Sequence, residues 1–191
     1  MHEPDMQRIR TAIFVEGTSD QRALGTLARR RHRNLVAEGV SVVPMGGAHG
    51  IKRFLDMYGP GGLGLHLAGL CDAGEEAHVG RALSNEGLTS GVSRAEMERL
   101  GFFVCEPDLE SELIRALGAD SVERVLAAEG DLAAFRTFQR EPAWRDRSRD
   151  EQLHRFMGSG ARRKIRYSGL LVDALELGRV PRPLDGVLAR V

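Results

Sequence analysis

Short apolar segments alternate with amphipathic ones through the first 118 residues of the chain. Four apolar segments are predicted strands, and they cover residues 10–15, 40–44, 65–70 and 101–105. Apolar residues at helical spacing follow each strand, as at Leu24, Leu27 and Ala28 after the first. Strands that alternate with helices are typical of a parallel sheet covered by helices on both faces. We therefore predict an α/β fold with a central four-stranded parallel sheet.

Cap residues define the predicted helix ends. Thr18 followed by Gln21 predicts a capping box at the start of the first helix. Pro107 suits the first turn of the helix after the fourth strand. Gly118 is expected to end that helix.

From residue 119 onward the pattern is mostly helical. Amphipathic segments cover residues 122–128 and 132–138, a short helix covers 152–157, and an apolar helix covers 170–177. We therefore divide the chain into an α/β core, residues 1–118, and a C-terminal helical extension, residues 119–191. The extension is expected to pack on the core and to supply a basic residue to the functional site.

Charge and cysteine content narrow the class of protein. The 191 residues carry a formal net charge of zero, so any contact with nucleic acid must use local basic patches. One basic run, residues 29–33, fits a solvated helix end, with phosphate contact as the alternative. Cys71 and Cys105 form no CxxC motif, and both are predicted to be small buried strand residues.

The first ten residues are polar and charged, which is unlike a signal peptide. No apolar run approaches the roughly 20 residues that span a bilayer. We therefore expect a cytoplasmic protein with no membrane partner.

Acidic side chains follow three of the four predicted strands. The acids at or just after those strand ends are Glu16, Asp20, Asp72, Glu106, Asp108 and Glu110. Because ligands of α/β sheets bind at the carboxyl ends of the strands, these acids are expected to form one pocket. Like charges raise one another's pKa, so such a pocket needs a cation, and oxygen ligands are those that Mg²⁺ prefers. The sequence therefore predicts a site for Mg²⁺ or Mn²⁺, and two metals would clamp both oxygens of a phosphodiester displacement.

The order of these motifs resembles the TOPRIM domain of the overcoming-lysogenization-defect (OLD) nucleases. The motifs that carry the resemblance are Val15–Asp20, Gly46-Gly47, Leu70–Gly74, Glu106–Glu110, Phe138–Ala143 and Arg163–Tyr167. The resemblance implies a TOPRIM, Rossmann-like fold and Mg²⁺-dependent cleavage of phosphodiester bonds, with DNA as the expected substrate.

Roles for individual residues also come from this resemblance. Glu16 and Asp20 would bind metal, Asp72 would bind or bridge metals, and Asp108 and Glu110 would complete a second site. Glu16, Asp72 and Lys164 would be the catalytic residues. Lys164 would stabilise the developing negative charge, with Arg163 as the nearby alternative. The basic residues expected to contact nucleic acid are Arg162, Arg163 and Arg166.

Two departures from the family pattern change what the resemblance implies. TOPRIM domains typically have Asp-x-Asp after the third strand, whereas this chain has Asp72-Ala73-Gly74. Either Glu75 or Glu76 substitutes for the second acid, or Asp108 and Glu110 recruit the second metal. OLD nucleases also carry an ATPase domain, and this sequence has no G-x-x-x-x-G-K-[ST] phosphate loop. Any ATP use would therefore require a separate ATPase subunit, and a homodimer is compatible with the sequence.

Two alternative functions fit the same residues. The first is a catalytically weakened TOPRIM-fold protein that binds nucleic acid or regulates an ATPase complex, because the second acid is missing at Gly74. The second is another phosphoryl-transfer enzyme on this fold, either a nucleotidyltransferase or a small-molecule phosphotransferase.

Overall fold

The computed structural model describes residues 9–191. Its sheet has four strands, all parallel, in the spatial order β2-β1-β3-β4. The predicted α/β fold with a four-stranded parallel sheet is therefore confirmed. The elements in chain order are β1 (Thr11–Val15), α1 (Thr18–Arg30), β2 (Val40–Pro44), α2 (Ile51–Tyr58), β3 (His66–Asp72), α3 (Glu76–Asn85), α4 (Arg94–Leu100), β4 (Phe102–Cys105), α5 (Leu109–Leu117), α6 (Ala119–Ala128), α7 (Leu132–Gln139), α8 (Arg149–Met157), α9 (Ala161–Ala174) and α10 (Arg182–Ala189).

Strand register places the acidic motifs at one edge of the sheet. β1 and β3 are the two central strands, and Phe14 pairs with Gly69 between them. Asp72, the last residue of β3, pairs with Cys105, the last residue of β4. Because the strands are parallel, the segments that follow β1, β3 and β4 all leave the sheet at the same edge.

Alternate residues of each strand enter two hydrophobic clusters, one on each face of the sheet. Phe14 packs in a cluster with α2, α3 and α4, whereas Ile13 and Val15 pack in a cluster with α1 and the C-terminal helices. Cys71 and Cys105 are buried in these clusters with free thiols, which confirms the prediction made for them.

Residues beyond 118 contribute to the same core as the sheet. Leu126 and Tyr167 are fully buried in the cluster that contains Ile13, and the Tyr167 hydroxyl donates a hydrogen bond to Asp131 (2.6 Å). Helix α9 packs along α1. The division of the chain at residue 118 stays a prediction.

The cap predicted for α1 is wrong. The N-cap residue is Gly17, whose extended backbone precedes Thr18 as the first helical residue. Asp20 at the third helical position accepts a hydrogen bond from the Gly17 N–H (2.8 Å). The Gln21 side chain instead donates to the Val42 carbonyl of β2 (2.9 Å). Asp20 therefore accepts the capping hydrogen bond that was expected of Gln21, because it lies three residues after the actual N-cap residue.

The start of α5 also differs from the prediction. Asp108, not Pro107, begins this helix as its N-cap, and its carboxylate accepts a hydrogen bond from the Ser111 N–H (2.8 Å). A short acid satisfies a free N–H of the first turn, whereas proline offers no acceptor side chain. Pro107 consequently lies outside the helix. Gly118 does end it, with a positive φ of 77°.

Two further helices differ from the predicted boundaries. Helix α4 was not predicted, and Ser93 caps it through a reciprocal pair of bonds with Glu96. Helix α9 begins at Ala161, whereas the sequence predicted its start at Leu170. The basic residues before Tyr167 therefore lie within the first turns of α9. Among residues 9–191, no helix has the length and apolar character needed to cross a membrane.

Candidate metal centre

The side chain of Glu16 connects the two central strands at their carboxyl ends. Its Oε1 accepts a hydrogen bond from the backbone N–H of Asp72 (3.0 Å). Glu16 follows β1 directly, and Asp72 ends β3. This contact orients one carboxylate over the end of the neighbouring strand, as the parallel topology predicts.

Asp20 lies one helical turn further on, in a half-buried position. Burial raises the pKa of its carboxyl to about 6, even though the hydrogen bond from Gly17 acts in the opposite direction. The charges of Glu110 and Glu16 raise this pKa further, and that of Lys164 lowers it. Asp20 therefore senses charges from three separate segments of the chain.

Asp72 has the more strongly shifted carboxyl. Burial, followed by the charges of Glu16, Asp20, Asp108 and Glu110, raises its pKa to about 7. Four of the other five predicted acids therefore lie close enough to Asp72 for their charges to act on its carboxyl. A divalent cation would relieve this repulsion, because it stabilises the ionised form of each acid.

Asp108 belongs to a second part of the pocket, next to His154 of α8. His154 Nε2 lies 2.7 Å from Asp108 Oδ2. Although burial alone would raise the pKa of Asp108, hydrogen bonds from His154 and Ser111 lower it to about 2. The same hydrogen bond to Asp108 raises the pKa of His154. This pair therefore favours an ionised carboxylate.

Glu110 is the most buried acid of the pocket, with 6% of its surface exposed. Its Oε1 atom has no hydrogen-bond partner among the described residues. Lys164 Nζ of α9 lies 3.3 Å from this oxygen, so the two are an ion pair without hydrogen-bonding geometry. Burial lowers the pKa of Lys164, but the charges of Glu110 and Asp20 outweigh it and raise the pKa overall. Lys164 thus remains a cation inside the pocket.

The donor atoms fit a divalent cation. Asp108, Glu110 and His154 each offer one ligand atom, and these atoms lie within 4.8 Å of one another. Two carboxylate oxygens and an imidazole nitrogen form a donor set found at divalent-metal sites. The Glu110 oxygen that pairs with Lys164 accepts no hydrogen bond, which is a further sign of fit, because a buried carboxylate oxygen normally accepts one.

Other predicted acids point elsewhere. Glu106 and Glu76 both bind the guanidinium group of Arg94, at 3.0 Å and 2.5 Å, respectively. Glu106 therefore contributes to a surface ion-pair group and not to the pocket contacts. Glu76, one of the two expected replacements for the missing second acid, is engaged by the same arginine. Glu75 makes no side-chain hydrogen bond among the described residues.

The predicted nucleic-acid contacts have different surroundings. Arg162 is exposed. Arg163 lies over the ring of Phe156, 4.5 Å from its centroid, and donates to Ser159 (2.8 Å). Arg166 binds the carboxylates of Glu129 and Asp131.

The basic run at residues 29–33 is tied to the C-terminal helices. Arg29 binds Asp173 of α9 at 2.9 Å, and Arg31 binds Asp185 of α10. This pattern agrees with a helix end more than with a phosphate-binding patch.

His154 is the site residue that sequence reasoning did not find. It lies 46 residues after Asp108, and the two meet only because α8 packs on α5. No spacing rule could have paired them. A cavity of about 550 Å³ lies beside His154 and Asp108. Positively and negatively charged residues line it, including Arg115, Arg147, Asp150 and Arg155.

The fold has known relatives, and two of the solved structures that match it cover nearly the whole chain. The C-terminal region of the Burkholderia pseudomallei OLD protein is 20% identical, with a TM-score of 0.69 over 95% of this chain and 96% of that chain. The C-terminal region of the Xanthomonas campestris pv. campestris OLD protein is 23% identical, with a TM-score of 0.71 over 96% and 92%, respectively. At these identities the likeness concerns the fold, which is that of an OLD C-terminal region.

Part of the sequence also matches a family model. Residues 9–73 match the family model described as "Overcoming lysogenization defect protein-like, TOPRIM domain". The match runs from β1 to the end of β3 and includes Glu16, Asp20 and Asp72. This match over residues 9–73 confirms the resemblance to an OLD-like TOPRIM domain found in the sequence. No curated protein sequence matches the chain.

Proposed function

We propose that this chain is a divalent-metal-dependent nuclease that cleaves phosphodiester bonds in DNA. The observation that carries the proposal is the interaction of Asp72 with four other carboxylates, beside the half-buried cation Lys164. The OLD-like TOPRIM domain adds support, because it belongs with a family of metal-dependent nucleases.

The metal-binding roles follow from the two parts of the pocket. Glu16, Asp20 and Asp72 are proposed ligands of one Mg²⁺ or Mn²⁺, and Asp108 and Glu110 are proposed ligands of a second. Such ions, when bound, polarise a phosphoryl oxygen and lower the pKa of a bound water. The chain supplies carboxylates on rigid strand ends and helix starts, which keeps them in place without further ordering.

Lys164 is proposed to stabilise negative charge on the phosphate. Its ammonium group is half-buried and lies against Glu110. A positive charge held in a partly desolvated site interacts more strongly with a developing oxyanion than the same charge in water. Arg163, the alternative, is less suited because its guanidinium group lies over Phe156.

Contact with DNA is proposed for cations around the pocket. Arg162 is exposed on the first turn of α9, two residues before Lys164. Arg155 also lines the cavity beside Asp108. Roles of Arg163 and Arg166 in binding DNA stay predictions, and both would require these side chains to exchange their present partners.

Nicking of supercoiled plasmid tests the nuclease proposal. Wild-type protein and Glu16→Ala are incubated with Mg²⁺ or Mn²⁺, with EDTA as the metal-free control. We expect nicking by wild type only with metal, and a loss of at least about 100-fold in Glu16→Ala. Equal rates for the two proteins would overturn the role of Glu16, and no nicking by wild type would overturn the nuclease itself.

A second candidate function is a weakened TOPRIM protein that binds DNA without cutting it. Gly74 replaces the usual second acid, and Glu76 is held by Arg94, which favours this alternative. It predicts DNA binding by electrophoretic mobility shift without nicking at any metal concentration. We also propose that any ATP use would belong to an ATPase domain or subunit outside these 191 residues.

A further inference from the structure

His154 is not an isolated neighbour of the acidic pocket. It projects from α8, and its Nε2 atom lies 2.7 Å from the Asp108 carboxylate of the α5 N-cap. The other Asp108 oxygen accepts the Ser111 N–H, which fixes the orientation of the carboxylate. The oxygen that faces His154 is therefore presented to the pocket by a rigid helix start.

Glu110 supplies an independent observation at the same place. It is 6% exposed, and its Oε1 atom lacks a hydrogen-bond partner among the described residues. The charged neighbour of this oxygen is Lys164, whose Nζ lies 3.3 Å away without forming a hydrogen bond. A buried acceptor that lacks a hydrogen bond is uncommon, so this oxygen has capacity for a further ligand. Glu110, Asp108 and His154 each offer one ligand atom. These three atoms lie within 4.8 Å of one another and can share one ion.

The two halves of the pocket differ in donor chemistry. Glu16, Asp20 and Asp72 offer only carboxylate oxygens, the ligands that Mg²⁺ prefers. The half formed by Asp108 and Glu110 also has an imidazole nitrogen, which binds first-row transition metals better than Mg²⁺.

We propose that His154 is a ligand of the metal held by Asp108 and Glu110, and that it makes this half of the pocket prefer a transition-metal ion such as Mn²⁺ over Mg²⁺. The inference rests on the proposed function for the metal-binding role of the two acids. It adds a third ligand and a selectivity that the all-oxygen half lacks.

Electron spin-echo envelope modulation of bound Mn²⁺ tests this directly, because a coordinated imidazole gives a ¹⁴N coupling that carboxylates do not. The probe is Mn²⁺ alone, added to the full chain without DNA. His154→Gln removes the imidazole but keeps a side-chain amide that can donate to Asp108. His66→Gln is the matched control, because His66 is exposed at the start of β3, at the end of the sheet away from the pocket.

We expect a ¹⁴N coupling in wild type and in His66→Gln, and its loss in His154→Gln. Glu16→Ala, which alters the other half, should keep the coupling. We also expect that Mg²⁺ displaces Mn²⁺ from His154→Gln at a concentration lower by about 10-fold or more than from wild type. Circular dichroism confirms that each variant is folded.

Two results would overturn the inference in distinguishable ways. Bound Mn²⁺ without ¹⁴N coupling in wild type, or with coupling that persists in His154→Gln, would leave His154 as a hydrogen-bond partner of Asp108 only, with the proposed function intact. Absence of any bound Mn²⁺ in wild type would reject both the inference and the metal centre on which the proposed function depends.

Discussion

Glu16 Oε1 accepts a hydrogen bond from the backbone N–H of Asp72 at 3.0 Å, which joins the carboxyl ends of the two central strands. The contact uses one carboxylate oxygen and leaves the other available to a cation. It also holds the carboxylate beside Asp72, where the negative charges accumulate.

Replacement of Glu16 separates these two roles. We expect Glu16→Gln to keep the acceptor for the Asp72 N–H and to retain most of the thermal stability, whereas Glu16→Ala loses about 1 kcal/mol. Both variants should bind Mn²⁺ at least about 10-fold more weakly by isothermal titration calorimetry. Equal metal affinity in Glu16→Gln and wild type would show that Glu16 is a structural acceptor only.

The raised pKa values of Asp20 and Asp72 predict how stability depends on pH in the absence of metal. Both carboxyls bind protons more tightly in the folded chain, with pKa values of about 6 and about 7 in place of an ordinary 3.8. Stability should therefore fall as pH rises from about 4 to about 7, because the unfolded chain releases these protons first. The raised pKa of His154 also makes stability fall as pH rises. The lowered pKa of Asp108 affects stability only below about pH 4.

Thermal melts in EDTA at pH 5 and pH 8 measure this effect, which should be smaller in Asp72→Asn. Addition of Mn²⁺ at pH 8 should restore the melting temperature of wild type, because the cation replaces the lost protons. A wild-type protein that is more stable at pH 8 than at pH 5 in EDTA would contradict the assignment of the shifted acids.

Gly74 offers a test of the missing acid. It is exposed, its φ is not positive, and a Cβ atom placed there meets nothing within 4 Å. We expect Gly74→Asp to fold with little change in melting temperature and to bind Mg²⁺ more tightly than wild type. Gly61→Asp is the control, because Gly61 is also exposed and open but lies in the loop after α2. Unchanged Mg²⁺ affinity in Gly74→Asp would place position 74 outside the metal site.

Lys164 should matter for turnover more than for metal binding. We expect Lys164→Met to lower the nicking rate by about 100-fold or more, because a charge aimed at the phosphate is removed. Its Mn²⁺ affinity should not fall, since the change removes a cation that competes for Glu110. Arg179→Met is the control, because Arg179 is an exposed cation outside the pocket. An equal loss of nicking rate in both variants would show that Lys164 acts only through the overall charge of the protein.

The sequence predicted the parts of the site that depend on topology. Once β1 and β3 are parallel neighbours, the acids that follow them must meet, so the proximity of Glu16 and Asp72 follows from hydrophobic periodicity alone. Parallel strands that are buried on both faces read as apolar runs, and for this reason their positions were found within two residues.

Features that depend on helix packing could not be predicted in the same way. His154 meets Asp108 through the contact of α8 with α5, and nothing local in either segment encodes it. Helix α4 buries only Met97 among its side chains, so its pattern lacked an apolar face, and its Arg94 redirects Glu106 and Glu76 away from the pocket. The direction of a side chain after a strand end therefore depends on contacts with residues that are distant in the sequence.

Anomalous diffraction from a crystal soaked in Mn²⁺ tests the central claim most directly, namely that these carboxylates form a metal centre. We predict anomalous density in the pocket, with Glu16 and Asp72 as ligands of one peak and Asp108 and Glu110 as ligands of another. Absence of density at both positions in a crystal soaked at millimolar Mn²⁺, or density only at surface acids, would contradict the account.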